Sequence, residues 1–145
     1  MSYSIDVNLL VYASDDSSPH HRKALAFLEG RAADPDILCL AWMTLMSYLR
    51  LATHPSVFRL PLPLEDAARN VETLLSLPRT RVISEEDGFW EAYQQVAAGR
   101  PVRGNAVPDA HLAAILRQHG VRTLYTADSD FRRFEWLEVV NPLTG

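Results

Sequence analysis

Aspartate residues at three separated places in the chain could together hold a metal ion. They are Asp6, Asp109, Asp128 and Asp130, the last two in the sequence Ala-Asp-Ser-Asp. Carboxylates that lie close together raise one another's pKa unless positive charge lies between them. Hard divalent cations such as Mg²⁺ and Mn²⁺ supply that charge and prefer oxygen ligands. A cation held in this way can polarise a phosphoryl oxygen or make hydroxide from water near neutral pH.

Each aspartate also has a structural interpretation. Asp109 could be the N-cap of a helix, Asp130 could cap a short turn, and Asp128 could lie in a solvated turn. Asp6 is harder to explain in this way, because aspartate is disfavoured in strands and an apolar run begins directly after it. The metal-site hypothesis therefore depends on the four residues in combination.

The elements that must position these residues alternate between strands and helices. Apolar runs predict strands at 3–6, 37–40, 81–83 and 122–126, with a further short strand at 139–140. Apolar residues at helical spacing, capping residues and prolines predict six helices. Three are expected at 8–13, 42–53 and 64–75. The others are expected from Ser18-Pro19 to Gly30, after the capping-box pair Ser84 and Asp87, and from Pro108 to Gly120. The three prolines of 54–63 predict a long loop.

This alternation is typical of an α/β fold with a parallel sheet and helices on both faces. We expect one domain over 1–145, a three-layer α/β/α sandwich. Right-handed crossovers place the carboxyl ends of all strands along one edge, where ligands bind in open α/β sheets. The short polar residues Asn8 and Thr126 accompany the aspartates at that edge.

Composition excludes several classes of protein. The chain has 145 residues, of which 48% are hydrophobic and 22% charged, as in an ordinary globular domain. Its one cysteine, Cys39, excludes an intrachain disulfide and a cysteine zinc cluster. The longest apolar stretch, 37–49, is short of a membrane-spanning helix, and the N-terminus lacks the basic region of a signal peptide. We therefore expect a soluble protein of a reducing compartment, the cytoplasm.

Basic residues and glycines narrow the function further. Lys23 is the only lysine and follows an arginine, so a P-loop is absent. No two glycines have G-x-G spacing, so the dinucleotide-binding fingerprint is absent as well. The formal net charge of -4 gives no overall basic signal for nucleic acid. Any nucleic-acid function must rest on local arginines or on bound cations.

Six short segments in a fixed order give the chain a family resemblance. It resembles PIN-domain proteins, specifically the VapC-type toxin ribonucleases of bacterial type II toxin–antitoxin pairs, over nearly its whole length. The segments are IDVNLLVY at 5–12, YLRLATHP at 48–55, GN at 104–105, DAHLAA at 109–114, TADSDF at 126–131 and NPL at 141–143.

The resemblance implies a PIN-like fold whose acidic residues surround one or two Mg²⁺ or Mn²⁺ ions and activate water to cleave single-stranded RNA. By motif match, Asp6 and Asp109 are the first and third family carboxylates. Asp128 is the fourth, with Asp130 as its close companion, and Asp6, Asp109 and Asp128 are the expected metal ligands. Asn8, Ser47 and Thr126 match positions near the acids that orient them or the water. The implied partners are RNA, a cognate antitoxin and a second copy of the chain.

One departure from the family pattern concerns Ser47. The family usually has a glutamate there, on the helix after the second strand, so one ligand fewer is expected. A serine could bind a cation only as a neutral oxygen or through water. For the RNA phosphates we expect arginines, whose planar fork matches phosphate. The candidates are Arg50, Arg100 and Arg103.

Two alternatives stay open at this point. A haloacid-dehalogenase-like phosphatase also begins with an aspartate after the first strand, but it needs Asp-x-Asp, and Asn8 takes the second place. It also needs a lysine near the phosphate, and Lys23 is poorly placed. The other alternative is a binding module that lost activity with the glutamate at 47 and only sequesters RNA or its antitoxin.

Overall fold

A five-stranded parallel sheet forms the centre of the molecule. The computed structural model describes residues 1–144. The strands are β1 (Ser2–Ile5), β2 (Ile37–Ala41), β3 (Thr80–Ile83), β4 (Thr123–Tyr125) and β5 (Glu138–Val140). They lie in the order β3-β2-β1-β4-β5, and every adjacent pair is parallel. The predicted α/β class with a short parallel sheet is confirmed, and the first strand lies in the middle.

Within residues 1–144, six α-helices connect and cover the strands. They are α1 (Val7–Ser14), α2 (His21–Glu29), α3 (Trp42–Ala52), α4 (Leu64–Leu75), α5 (Phe89–Ala97) and α6 (Ala106–Gln118). Two short 3₁₀ segments are η1 (Gly30–Ala33) and η2 (Ser129–Arg133). Residues 54–63 form neither helix nor strand, as their prolines predicted. Within 1–144, no helix has both the length and the apolar character that crossing a bilayer requires.

The core lies in two layers, one on each face of the sheet. Side chains of a strand alternate between faces, and β2 shows this clearly. Leu38 and Leu40 belong to the cluster formed with α1 to α4. Cys39 and Ala41 belong to the cluster formed with α5 and α6. All four are at most 2% exposed, which confirms the three-layer sandwich and places the cysteine in the core.

Two predicted helix starts were wrong. The helix expected to begin at Pro19 under a Ser18 cap begins at His21 instead. The hydroxyl oxygen of Ser18 accepts a hydrogen bond from the backbone N–H of His20 at 3.1 Å, so it closes a separate turn before the helix. Pro108 lies in the first turn of α6 and does not open it, because a proline is tolerated where the N–H needs no partner within the helix.

The predicted capping box of Ser84 and Asp87 was also wrong. Gly88 adopts a left-handed conformation with φ of 82°, so α5 begins only at the next residue. The side-chain amide of Gln118 on α6 holds the preceding loop instead, accepting from the N–H of Glu86 at 2.9 Å and donating to its carbonyl oxygen at 3.1 Å. The loop after β3 is therefore fixed by a residue distant in sequence, which local spacing does not reveal.

Candidate active site

Two neighbouring strands deliver the first site residues to the carboxyl edge of the sheet. Asp6 directly follows β1, and its N–H donates to the carbonyl oxygen of Tyr125 at 2.9 Å. Thr126 directly follows β4, and its N–H donates to the carbonyl oxygen of Val140 at 2.9 Å. Both residues thus extend the sheet ladder by one step, which places their side chains beside each other.

A hydrogen-bonded group of three side chains, Asp6, Asn8 and Thr126, forms what we call the inner network. One carboxylate oxygen of Asp6 accepts from the N–H of Val7 at 2.8 Å, which caps α1. The other accepts from the Thr126 hydroxyl at 2.8 Å and from the Asn8 amide at 3.3 Å. The Asn8 amide also donates to the Thr126 oxygen at 3.2 Å. The carboxylate is thereby held in one orientation.

Burial sets the electrostatics of Asp6. The residue is only 9% exposed, and this desolvation raises the pKa of its carboxyl group above the ordinary value. The hydrogen bonds from Thr126 and Val7 oppose the rise, and the negative charge of Asp128 adds to it. The inner network therefore contains a buried acid whose charged form needs further stabilisation.

Three other carboxylates, those of Asp109, Asp128 and Asp130, form what we call the outer cluster. Each offers one oxygen, and these oxygens all lie within 4.8 Å of one another. Asp109 lies in the first turn of α6, while the other two lie at the start of η2. The cluster includes Asp130, which was predicted as a catalytic residue that orients water or holds a second ion and not as a ligand of the first ion. It does not include Asp6, which was predicted as a metal ligand.

Mutual repulsion and burial leave the outer cluster short of positive charge. The pKa of Asp109 is raised to about 6, chiefly by burial and then by the charges of Asp128, Asp6 and Asp130. The guanidinium of Arg133 opposes this rise. Several oxygen donors that repel one another at this distance match the donor set of a hard divalent cation. The residues present therefore fit the metal that the sequence led us to expect.

The structural interpretations of the aspartates have different outcomes. Asp109 is not a helix cap, because the N-cap position of α6 is Asn105 and no side chain caps it. Asp128 is a cap, since its carboxylate accepts from the N–H of Asp130 at 2.8 Å at the start of η2. Its N–H in turn donates to the Thr126 hydroxyl oxygen at 3.0 Å, which joins the outer cluster to the inner network.

Ser47 lies on α3, at the position where the family usually has a glutamate. The side chain is half-buried, and the hydrogen bonds of the inner network do not involve it. The helix reads WMTLMSYLRLA and contains no acidic residue. The helix that follows β2 therefore contributes no carboxylate to the site. The acidic residues come from the segments after β1 and β4 and from α6.

An open cleft of about 560 Å³ lies against the outer cluster. It is lined by Arg100, Asn105, Ala106, Asp109, Ser129, Asp130, Arg132 and Arg133. Of the three arginines predicted to bind phosphate, only Arg100 reaches it. Arg50 lies in the last turn of α3, and Arg103 is exposed on the loop after α5; neither lines the cleft.

Sequence reasoning missed Arg132 and Arg133. Both belong to η2, the short segment that also carries Asp130. The available signal was their position directly after the Asp-Ser-Asp-Phe segment, because a single 3₁₀ turn brings residues three apart onto one side.

Comparisons with known proteins agree with this architecture. The PIN domain family model matches residues 3–137. The chain is 42% identical to Ribonuclease VapC48 of Mycobacterium tuberculosis over 145 residues, which is 100% of both chains. It is 34% identical to Ribonuclease VapC37 of the same species over 131 residues, 90% of each chain. The chain therefore belongs to the PIN-domain family, within its VapC ribonucleases.

Solved structures show the same fold at low sequence identity. One is VapC20 of Mycobacterium tuberculosis, described as a Sarcin-Ricin loop cleaving toxin. Its TM-score is 0.68 at 19% identity, covering 96% of this chain and 99% of that one. Another is VapBC2 from Rickettsia felis, bound to a DNA fragment from their promoter, with a TM-score of 0.68 and 19% identity over 97% of this chain and 98% of that one.

Proposed function

We propose that this VapC ribonuclease is the toxin of a toxin–antitoxin pair and hydrolyses phosphodiester bonds in single-stranded regions of RNA, with Mg²⁺ or Mn²⁺ as cofactor. The observation that carries the proposal is the outer cluster, whose three carboxylates converge beside an arginine-lined cleft. We place the activity in the cytoplasm, a reducing compartment that suits the single buried cysteine.

The cation would be held by Asp109, Asp128 and Asp130, with Asp6 adjoining them. When bound, it supplies positive charge to phosphate oxygens and lowers the pKa of water. Asp6 contributes a carboxylate whose direction is fixed by Thr126 and Asn8. Partners of this kind fix a metal ligand's orientation and raise its affinity.

Water is the nucleophile in this scheme, and the carboxylates orient it. Asp130 is exposed at the cleft while Asp128 is half-buried and tied to the backbone. Asp130 therefore has the freer carboxylate for the attacking water or a second cation. Arg100 on the same cleft lies where a phosphate would enter.

A cleavage assay tests the proposal directly. Purified chain is incubated with a labelled single-stranded RNA in Mn²⁺, in Mg²⁺ and in EDTA. A bound cation lowers the activation free energy by several kcal/mol, so its loss lowers the cleavage rate about a hundredfold to thousandfold. We expect Asp109→Asn and Asp6→Asn each to lower the rate by about that factor.

The matched control is Asp16→Asn, because Asp16 is an exposed aspartate outside the cleft. It should cleave like the unmodified chain. Equal cleavage by Asp109→Asn and Asp16→Asn would refute the assigned role, and cleavage undiminished in EDTA would refute the metal requirement.

The same assay decides between hydrolysis and the binding-module alternative. Retention of three converging carboxylates favours hydrolysis despite Ser47. RNA binding at saturating Mn²⁺ without any cleavage would instead establish a module that only sequesters RNA. The phosphatase alternative is set aside, because Asn8 is committed to hydrogen bonds with Asp6 and Thr126 and the chain belongs to the PIN family.

We also propose a cognate antitoxin and a second copy of the chain as protein partners. Two structurally similar proteins, VapBC2 from Rickettsia felis and VapBC-1 from nontypeable Haemophilus influenzae, were solved as VapBC. Light scattering should give the purified chain twice the mass of one copy. Addition of the cognate antitoxin should abolish cleavage at a one-to-one ratio, and undiminished cleavage would contradict the pairing.

A further inference from the structure

The cleft beside the outer cluster is lined by residues of both charges. Asp109 and Asp130 supply carboxylates to its lining. Three arginines also line it, Arg100 on the loop after α5 and Arg132 and Arg133 on η2. Two segments separated in sequence thus place cations around a single opening.

Within residues 1–144, none of these three arginines forms an ion pair shorter than 4 Å. The arginine ion pairs within residues 1–144 that are shorter than 4 Å involve Arg31 and Arg69, which lie elsewhere. In the cleft, one guanidinium N–H of Arg133 donates to the carbonyl oxygen of Pro101 at 2.9 Å. Opposite charges that share an opening yet remain unpaired fit a ligand that is anionic beside the arginines.

Arg133 differs from the other two in its attachment. It is half-buried, and its guanidinium lies 5.9 Å from the centre of the Phe134 ring. Its bond to Pro101 ties η2 to the loop that carries Arg100. A guanidinium has five donors in a rigid fork, so this bond leaves most of them available. Arg132, by contrast, is exposed to solvent.

We infer that Arg100, Arg132 and Arg133 form a binding subsite for the RNA phosphate that neighbours the scissile one, with Arg133 also positioning the loop that carries Arg100. The inference rests on the proposed function, since it names how that substrate is held. Arginine is suited to this task because its fork matches two phosphate oxygens at once. The subsite offsets the net charge of -4, which by itself repels RNA.

Binding of a labelled single-stranded RNA of mixed sequence tests the subsite apart from cleavage. All variants are made in an Asp109→Asn background, so that the RNA stays intact in Mg²⁺, and Kd is measured by fluorescence anisotropy at several salt concentrations. Arg132→Gln and Arg100→Gln should each raise Kd about fivefold at low salt. Each should lower the slope of log Kd against log salt by about 0.7, the value for one phosphate contact on a single strand.

The matched control is Arg22→Gln, an exposed arginine on α2 outside the cleft, which should leave Kd and slope unchanged. Arg133→Lys keeps the charge but loses the fork and should still raise Kd, with thermal melts to show that the fold persists. If all cleft variants bind RNA as the control does, the inference is wrong even where the unmodified chain cleaves RNA.

The reverse outcome separates the inference from the proposed function. If the unmodified chain cleaves no RNA in Mn²⁺ yet the cleft variants weaken binding as expected, the subsite stands and the hydrolysis proposal fails. A polyglutamate peptide is run as a second probe. Weakened binding of that peptide with unchanged RNA binding would overturn the inference and assign the arginines to an acidic protein segment.

Discussion

The inner network and the outer cluster both contain aspartates, but these aspartates differ in burial and in hydrogen bonding. Asp6 is buried and accepts three hydrogen bonds that fix its carboxylate. The outer carboxylates are more exposed, and burial together with the neighbouring negative charges raises the pKa of Asp109 to about 6. Hydrogen bonds therefore fix the orientation of Asp6, while the outer carboxylates lie close enough together for their charges to repel.

This difference follows from where the chain places each half. Strand ends beside each other in a sheet are rigid, so Asp6 and Thr126 meet with little freedom. The outer residues stand on a helix start and a 3₁₀ turn, whose free N–H groups and exposure tolerate several negative charges. The site thus combines one carboxylate held rigidly at the edge of the sheet with carboxylates on more exposed segments.

We expect Thr126→Val to weaken the inner network more than any other change that leaves every carboxylate in place. Removal of the hydroxyl deletes its bonds to Asp6, Asn8 and the Asp128 N–H without touching a carboxylate. Loss of such supporting groups typically lowers metal affinity or activity about tenfold to a hundredfold. Cleavage rates against Mn²⁺ concentration measure it. Thr126→Ser, which keeps the hydroxyl, should retain most of the cleavage rate. An equal loss of rate in both variants would show that the hydroxyl does not support the site.

The pH dependence of Mn²⁺ binding tests the outer cluster. Asp109 must lose its proton to bind a cation, and its pKa is about 6. The Mn²⁺ affinity measured by calorimetry should therefore be level above that pH and fall about tenfold for each pH unit below it. An affinity that stays constant between pH 7 and pH 5 would show that the cluster is already neutralised by the protein.

The smallest expected effect is on the stability of the metal-free chain. The folded pKa of Asp109 lies above its ordinary value, so the folded state holds the proton more tightly than the unfolded state does. Stability should then fall as pH rises from about 4 to about 6 and stay low above that range.

Asp109→Asn removes this penalty and should raise the Tm of the metal-free chain at pH 7.5 by about 3 °C, with no gain at pH 4. Melting curves in EDTA measure it. In excess Mn²⁺ at pH 7.5 the unmodified chain should instead have the higher Tm, because Mn²⁺ binding stabilises its folded state. A variant that melts lower than the unmodified chain in EDTA at pH 7.5 would contradict the raised pKa of Asp109.

Much of the site could be predicted because the rule that locates it is topological. The carboxyl ends of parallel strands lie along one edge of the sheet. Once the strands were recognised, the residues after β1 and β4 could therefore be predicted to lie close together. The place of Asp130 in the outer cluster and the two arginines beside it depend on the path of η2. A 3₁₀ turn of five residues leaves almost no periodic trace in sequence.

Helix starts were the weaker part of the prediction for a related reason. Ser18 and Ser84 have the residue type and spacing of caps, but a local turn and a left-handed glycine use those segments differently. Side-chain bonds to nearby backbone compete with helix initiation. Only tertiary contacts, such as that of Gln118 with the loop after β3, decide between the alternatives.

The central position of β1 has a consequence for how the protein is made. Asp6 is synthesised before Thr126, and its bond to Thr126 joins residues 120 positions apart. Domains fold as units, and contacts between distant positions form late because a long loop must close first. A nascent chain that lacks β4 holds Asp6 without its partner and without Asp128. The ribosome that makes this nuclease therefore holds an incomplete site until β4 and the segment after it have been synthesised.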